Sequence, residues 1–265
     1  MQNINIESQI TIMRPYILSE TSWKIIKENE YNVAILPWGA TEPHNYHLPY
    51  GTDNYETEAI AATSASMAWE AGAKVLVLPA VPFGVNTTQM SYPGTVNLHP
   101  STQSYILNDI VESLDQQGIH KLVVLNGHGG NYFRSMIREI MVSFPDMFIS
   151  TIDWFKVLDT REFFEDQGEH AGELETSLMQ VIAPHLVLDL KEAGTGESKN
   201  FIFQAHQEGW AWSPRDWPRV TEDTGIGNPA KATSEKGQKY LEELCAAIAG
   251  YFYELSVVRR EDEYE

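Results

Sequence analysis

The sequence is poor in three things, and each shortage removes a class of answers. It holds one cysteine, Cys245, so no disulfide can close within the chain and no thiolate metal site can be assembled. It is short of cations: 18 Lys and Arg stand against 37 Asp and Glu, a formal charge of −19. A surface of that sign repels nucleic-acid phosphate and anionic lipid, so neither is expected as a partner. No run of about 18 apolar residues occurs, and the first residues, "MQNINIESQITIMRPYIL", lack a basic segment followed by an apolar one. Neither a membrane span nor a signal peptide is expected, and the reading is a cytoplasmic protein.

What is present describes an ordinary globular chain. Of its 265 residues 43% are hydrophobic and 21% charged, enough apolar matter for a sizeable core. Four short apolar runs, "NVAILP" (32–37), "AKVLVLPAV" (73–81), "KLVVLNG" (121–127) and "MFISTID" (147–153), read as strands buried on both faces. Between and after them, residues 54–72, 101–118, 131–144, 172–183 and 229–255 read as helices. The first two stop at Gly72 and Gly118, and Ser101 is the expected N-cap of the second. Strand–helix alternation at this spacing predicts one α/β domain over 1–265, a mainly parallel central sheet between two helical layers. The stretch 185–228, with three Trp in "GWAWSPRDW" (209–217), has no clear period and reads as a lid or an oligomer contact.

Ligands of parallel α/β sheets bind at the carboxyl ends of the strands, and the chemistry-bearing residues collect there. Glu42, His44 and Asp53 follow the first strand in "WGATEPHNYHLPYGTD". His128 follows the third in "NGHGGN", and Asp153, Trp154 and Phe155 end the fourth. His170, Glu173 and Glu175 open a later helix in "HAGELETS". Imidazole and carboxylate suit Zn, Mn or Fe, and a shared carboxylate can bridge two such ions. In extended chain, Glu42-Pro43-His44 presents both ligands on one side. The glycines around His128 would let that turn approach a metal closely. His47, His99, His120, His185 and His206 are assigned to packing or surface roles, although His99 could line the pocket.

At these residues the chain resembles the creatininase family, the creatinine amidohydrolases. The Glu-x-His, His-Leu-Pro and Gly-Thr-Asp elements lie in "LPWGATEPHNYHLPYGTD". They are followed in the family's order by "FG" (83–84), "PGTVNL", "NGHGGN", "HAGELETS" and "GIGNPAKATSEKG". The resemblance implies a three-layer α/β/α sandwich and a centre of two divalent ions (Zn, Mn or Fe). The reaction it implies is hydrolysis of a non-peptide C–N amide bond by hydroxide held on the metals, in a cyclic amide or formamide. It also implies a homo-oligomer, often a hexamer. Carried over, Asp53 bridges the ions, Glu42 binds one, and His44 and His128 bind the other. Glu175 adds a carboxylate, His170 protonates the leaving nitrogen, and Glu173 is the base or an alternative ligand.

One departure stands out. Creatininase proper carries Tyr-Glu after the His of the Asn-Gly-His turn, where this chain has Gly129-Gly130. That puts creatinine as substrate and the filling of one metal site in question. Other branches with the Gly-Gly form resemble a formamide deformylase and a peptide-processing protein. Two other readings stay open: a non-catalytic metal or small-molecule binding protein on the same scaffold, and a metal hydrolase of lactones or phosphoesters.

Overall fold

The computed structural model describes residues 14–264. Its elements, in chain order, are α1 (Trp23–Glu28), β1 (Val33–Trp38), α2 (Thr52–Glu70), β2 (Val75–Val77), α3 (Pro100–Gln116), β3 (Lys121–Asn126), α4 (Arg134–Ser143) and β4 (Phe148–Asp153). Then follow α5 (Glu173–Ile182), α6 (Gln204–Gln207), α7 (Trp217–Val220) and α8 (Ser234–Val257). The four strands form one parallel sheet in the order β2-β1-β3-β4.

Side-chain alternation along the central strands creates the layers. Val33 and Ile35 of β1, with Val123 and Leu125 of β3, face a core shared with α2 and α8 (Ile60, Ala61, Ala65, Leu244, Ile248). Ala34, Leu36 and Trp38, with Leu122 and Val124, face α3 and α4 (Leu107, Val111, Met136, Ile140). A strand covered on both faces is apolar at every position, and β1 is buried throughout. The result is the expected α/β/α sandwich.

The edges depart from expectation for local reasons. The run 73–81 contributes only Val75–Val77, because Pro79 has no N–H to donate to a ladder. Pairing resumes beyond it, with Val81 N–H on the Pro37 carbonyl. β4 is the other edge and is only partly buried, not covered on both faces. Helix α3 is capped by His99 rather than Ser101, since Pro100 takes the first helical position, where its missing N–H costs nothing. Positive φ at Gly72 and Gly118 follows the ends of α2 and α3, as their placement predicts. The region 184–233 is irregular, with α6, α7 and 3-10 turns. Trp210 and Trp212 are exposed there.

Among the described residues no helix is long and apolar enough to cross a membrane. The signal-peptide reading concerns a segment whose first thirteen residues lie outside those described.

Candidate metal centre

The ladder aligns three strand ends on one level. Trp38 at the end of β1 pairs with Asn126 at the end of β3, which pairs with Asp153 at the end of β4. The loop after β1 carries Glu42 and His44, and the first turn of α2 brings back Asp53. The loop after β3 supplies His128, and the entry to α5 supplies His170 and Glu175. All but Glu175 are buried, and that carboxylate is half-buried.

Asp53 is the hub. Its Oδ1 lies 2.8 Å from His44 Nε2, and its Oδ2 lies 3.1 Å from His128 Nδ1. Glu42 Oε1 is 3.0 Å from the same His128 nitrogen and 3.7 Å from His170 Nδ1. Glu175 Oε1 is 3.9 Å from His44 Nε2. Two groupings of ligand atoms share Asp53: Glu42, Asp53 and His128, and His44, Asp53 and Glu175. A third joins Glu42, His44 and His170. His128 shares a grouping with Glu42 and Asp53, and its far nitrogen lies at the Val85 carbonyl; the resemblance had put it on one ion with His44.

The opposite nitrogens of the three rings settle their tautomers. His44 Nδ1 lies 3.0 Å from the Glu42 carbonyl, His128 Nε2 lies 3.1 Å from the Val85 carbonyl, and His170 Nε2 lies 2.9 Å from the Pro43 carbonyl. A carbonyl only accepts, so each of these nitrogens donates. The other nitrogen of each neutral ring is then a lone pair aimed at carboxylate oxygens. Lone pairs do not face anions in a dry site unless a proton or a cation lies between them. Consistently, His44 Nε2 and Asp53 Oδ2 have no partner in hydrogen-bonding geometry.

With protons in that role, the electrostatics are strongly perturbed. Burial alone would lower the His44 ring, but Asp53, then Glu175 and Glu42, override it and push it up to about 10. His128 is likewise raised well above its usual range, by Glu42 and Asp53 against burial. Asp53 is held below the usual carboxylate range, since His44 and His128 outweigh its burial. Glu175 is raised, because burial outweighs the pull of His44 and His170. No Lys or Arg lines the cleft above the cluster, a space of ≈ 50 Å³ walled by Trp154, Phe155, Leu174 and the glycine turns.

Supporting residues pin this geometry. Asn126 Oδ1 accepts the His128 N–H at 3.1 Å, and its Nδ2 donates to the His128 carbonyl and to Asp153. Asn131 Nδ2 donates to Asn126, and Gln103 donates to Asn131. Gln89 donates to Glu42 Oε2. The two Asn bracket the "NGHGGN" turn and could have been read as its braces, whereas nothing local marks Gln89. Gly130 is fixed by crowding: a Cβ there would collide with His128 Nε2 and the Val85 carbonyl.

Glu173 is the expected site residue that the structure does not bring to the cluster. Its Oε2 accepts the N–H groups of Glu165 and Asp166, and its Oε1 pairs with Lys236 of α8. Of the five histidines assigned elsewhere, none joins the groupings. His47 bonds Thr176 at 2.8 Å, and burial pushes its ring down to about 4. A residue with no anticipated role is Glu56 of α2. It is fully buried with no partner for either oxygen, and burial, then Glu175 and Asp53, raise it well above the usual range.

Known proteins resemble this chain over most of its length. Residues 19–252 match the family model described as "Creatininase: Creatinine amidohydrolase". The creatinine amidohydrolase of Pseudomonas putida is 29% identical over 266 residues, covering 88% of this chain and 94% of its own. The mycofactocin precursor peptide peptidase of Mycolicibacterium smegmatis is 26% identical over 220 residues, covering 82% and 83%. A crystal structure from Bacteroides fragilis NCTC 9343, provisionally named a creatinine amidohydrolase, superposes with a TM-score of 0.89 at 45% identity. It covers 95% of this chain and 99% of its own.

Proposed function

The chain belongs to the creatininase family, and we propose that it is a metal-dependent amidohydrolase cleaving a non-peptide C–N bond in a small cyclic amide or formamide. The observation that carries this reading is the set of three imidazoles, each with one N–H on a backbone carbonyl and a lone pair on the carboxylates. Glu42, Asp53 and His128 would hold one divalent ion, and His44, Asp53 and Glu175 the other, with Asp53 shared. Zn, Mn and Fe all suit these donors. Two such ions supply a Lewis acid for the amide carbonyl and make water acidic enough to attack at neutral pH.

The chain's own groups do the rest. His170 keeps Nε2–H on the Pro43 carbonyl, which leaves Nδ1, at the cleft, to carry a second proton and give it to the leaving nitrogen. A positioned general acid is worth about 10²–10⁴-fold. Trp154, Phe155 and Leu174 wall the cleft and exclude water from the apolar part of the substrate. With no Lys or Arg in the lining, the protein offers no guanidinium or ammonium to clamp a substrate phosphate, which favours a neutral amide over a phosphoester. Assembly into a homo-oligomer, a hexamer by family resemblance, and a cytoplasmic location belong to the same proposal.

A second reading, cleavage of a peptide, is drawn from the likeness to the mycofactocin precursor peptide peptidase. One experiment addresses both: dialysis against chelator and add-back of Zn or Mn, with turnover of creatinine, formamido-pyrimidines and short peptides measured beside metal content. Loss and return of amide hydrolysis is expected. Full activity in metal-free protein would remove the metal reading, and turnover confined to peptides would select the second reading.

A further inference from the structure

Among the described residues, three non-glycine positions have positive φ: Asn45 (φ 52), Ala171 (φ 52) and Thr224 (φ 68). Left-handed backbone at such residues persists only where the surroundings over-determine it. Asn45 follows His44 and Ala171 follows His170, so two of the three flank rings of the candidate centre. The third comes from the irregular 184–233 region, far away in sequence, and it is tied to both rings.

The ties form a closed circuit. The Asn45 N–H donates to Thr224 Oγ1 at 2.9 Å. The Thr224 carbonyl accepts from Trp217 Nε1 at 3.1 Å. The Trp217 indole stands perpendicular to the His170 ring, with centroids 5.4 Å apart and planes at 86°. His170 lies against His44, 4.2 Å between centroids, and His44 leads back to Asn45. The His170 backbone is also paired to the same strap, its N–H on the Ile226 carbonyl at 3.0 Å and its carbonyl accepting from Ile226 at 2.8 Å. Asp223 stiffens the strap by accepting from the N–H groups of Gly196 and Gly225 and from the Thr221 hydroxyl.

Among the described residues, the aromatic rings packed on His170 are Trp217 and His44. The His170 Nε2 bond to Pro43 fixes one point of the ring, and a ring held at one point can still swing about it. The perpendicular indole and the tilted His44 ring, both packed on His170, remove that freedom. We propose that Trp217 and Thr224 are positioning residues for the candidate proton donor: Trp217 holds the plane of His170, and Thr224 locks that indole to the backbone beside His44. This rests on the reading of His170 given above. It assigns 217–226 to the geometry of the centre rather than to its covering.

The test reads solvent access to each ring, in the full chain, by residue-resolved deuterium exchange at the histidine C2 positions, followed across pH so that a change in ring protonation is told apart from a change in opening, with metal content matched across variants. Trp217→Ala should speed exchange at His170 by about tenfold, the change expected when one well-formed contact is lost from a local opening equilibrium. His47, buried against Thr176 and outside the circuit, should keep its rate. Trp217→Phe keeps an aromatic ring against His170 but loses the N–H to Thr224, so its His170 rate should fall between those of wild type and Trp217→Ala. Thr224→Ala keeps its carbonyl but loses the hydroxyl, and should act on His44 more than on His170.

A wild-type rate at His170 in Trp217→Ala overturns the proposal, as does equal acceleration at His47, which marks general loosening. Should Trp217→Ala fail to fold, the Phe variant decides alone, and an unchanged His170 rate there is equally fatal. Where amide turnover is found, kcat should fall with KM unchanged. Absence of turnover in every variant and in wild type would overturn the amidohydrolase reading and leave the exchange result standing.

Discussion

The two ends of the parallel sheet handle charge in opposite ways. At the amino end, Lys121 at the start of β3 gives its ammonium to the carbonyls of Leu255 and Val258, at the finish of α8. Arg260 pairs with Asp146 and donates to the carbonyls of Asp146 and Pro145. Each cation there has its acceptors within the fold. At the carboxyl end, Glu42, Asp53 and Glu175 converge with three imidazoles and no Lys or Arg in the lining. In a chain of net charge −19, cations are scarce: two close the amino end, and at the carboxyl end Lys156 pairs with Asp153 while no Lys or Arg lines the cleft over the cluster. Acids gathered without a Lys or Arg leave their charge to be met by protons on the imidazoles or by a bound cation.

Removing the hub should break this contrast most severely. Asp53→Ala takes an oxygen from both groupings. It should lower metal content and cost more in turnover than the about 10–100-fold typical of a supporting residue. Metal content unchanged from wild type, measured by elemental analysis, would refute the sharing role. Next comes Gly130→Glu, which restores the family's carboxylate in sequence. Because a Cβ at 130 meets His128 and the Val85 carbonyl, the variant should lose metal affinity, by about tenfold or more, rather than gain a ligand. A titration showing tighter binding would show that the turn can reshape.

A smaller effect sharpens the comparison through pH. In metal-free protein the His44 ring, raised to about 10, binds its proton more tightly folded than unfolded. Its contribution to stability is complete below the ordinary value of about 6.5 and disappears as pH rises through about 10. Melting of metal-free protein should therefore fall between those limits, while metal-loaded protein, in which His44 carries no such proton, should hold steadier. Parallel melting curves would contradict this. The smallest effect is expected at the amino end. Lys121→Met removes the donor from the last carbonyls of α8 and should cost about 1 kcal/mol, seen as a melting shift of about 2–4 °C with no change in metal content.

The sequence made the layers and most of the centre legible because both follow short-range rules. Apolar strands ending in Glu, His and Asp point to the carboxyl edge whatever the loops do. Glu173 shows how the same spacing carries opposite meaning in different backbones. Two residues apart, Glu42 and His44 share a side in non-helical chain, whereas Glu173 and Glu175 on α5 are about 200° apart around the axis. One must face the cluster and the other must not. Since the helix was expected to cover both, this was readable in principle. Gln89 and Glu56 were not readable: their roles come from burial against elements distant in sequence, and a Glu one turn after Asp53 looks like any first-turn acid. The edges of the sheet were overdrawn because an apolar run does not reveal which strand has a neighbour on only one side.

The alignment of Trp38, Asn126 and Asp153 on one rung of the ladder makes the sheet a ruler. Neighbouring parallel strands stand about 4.8 Å apart, so the loops leaving β1 and β3 begin one such step from each other before any side chain is chosen. Ligand spacing is thereby inherited from backbone hydrogen bonds, the part of the molecule least altered by substitution. The cleft walls and the outer loops can change while the distance between the ligand-bearing turns stays where the ladder put it.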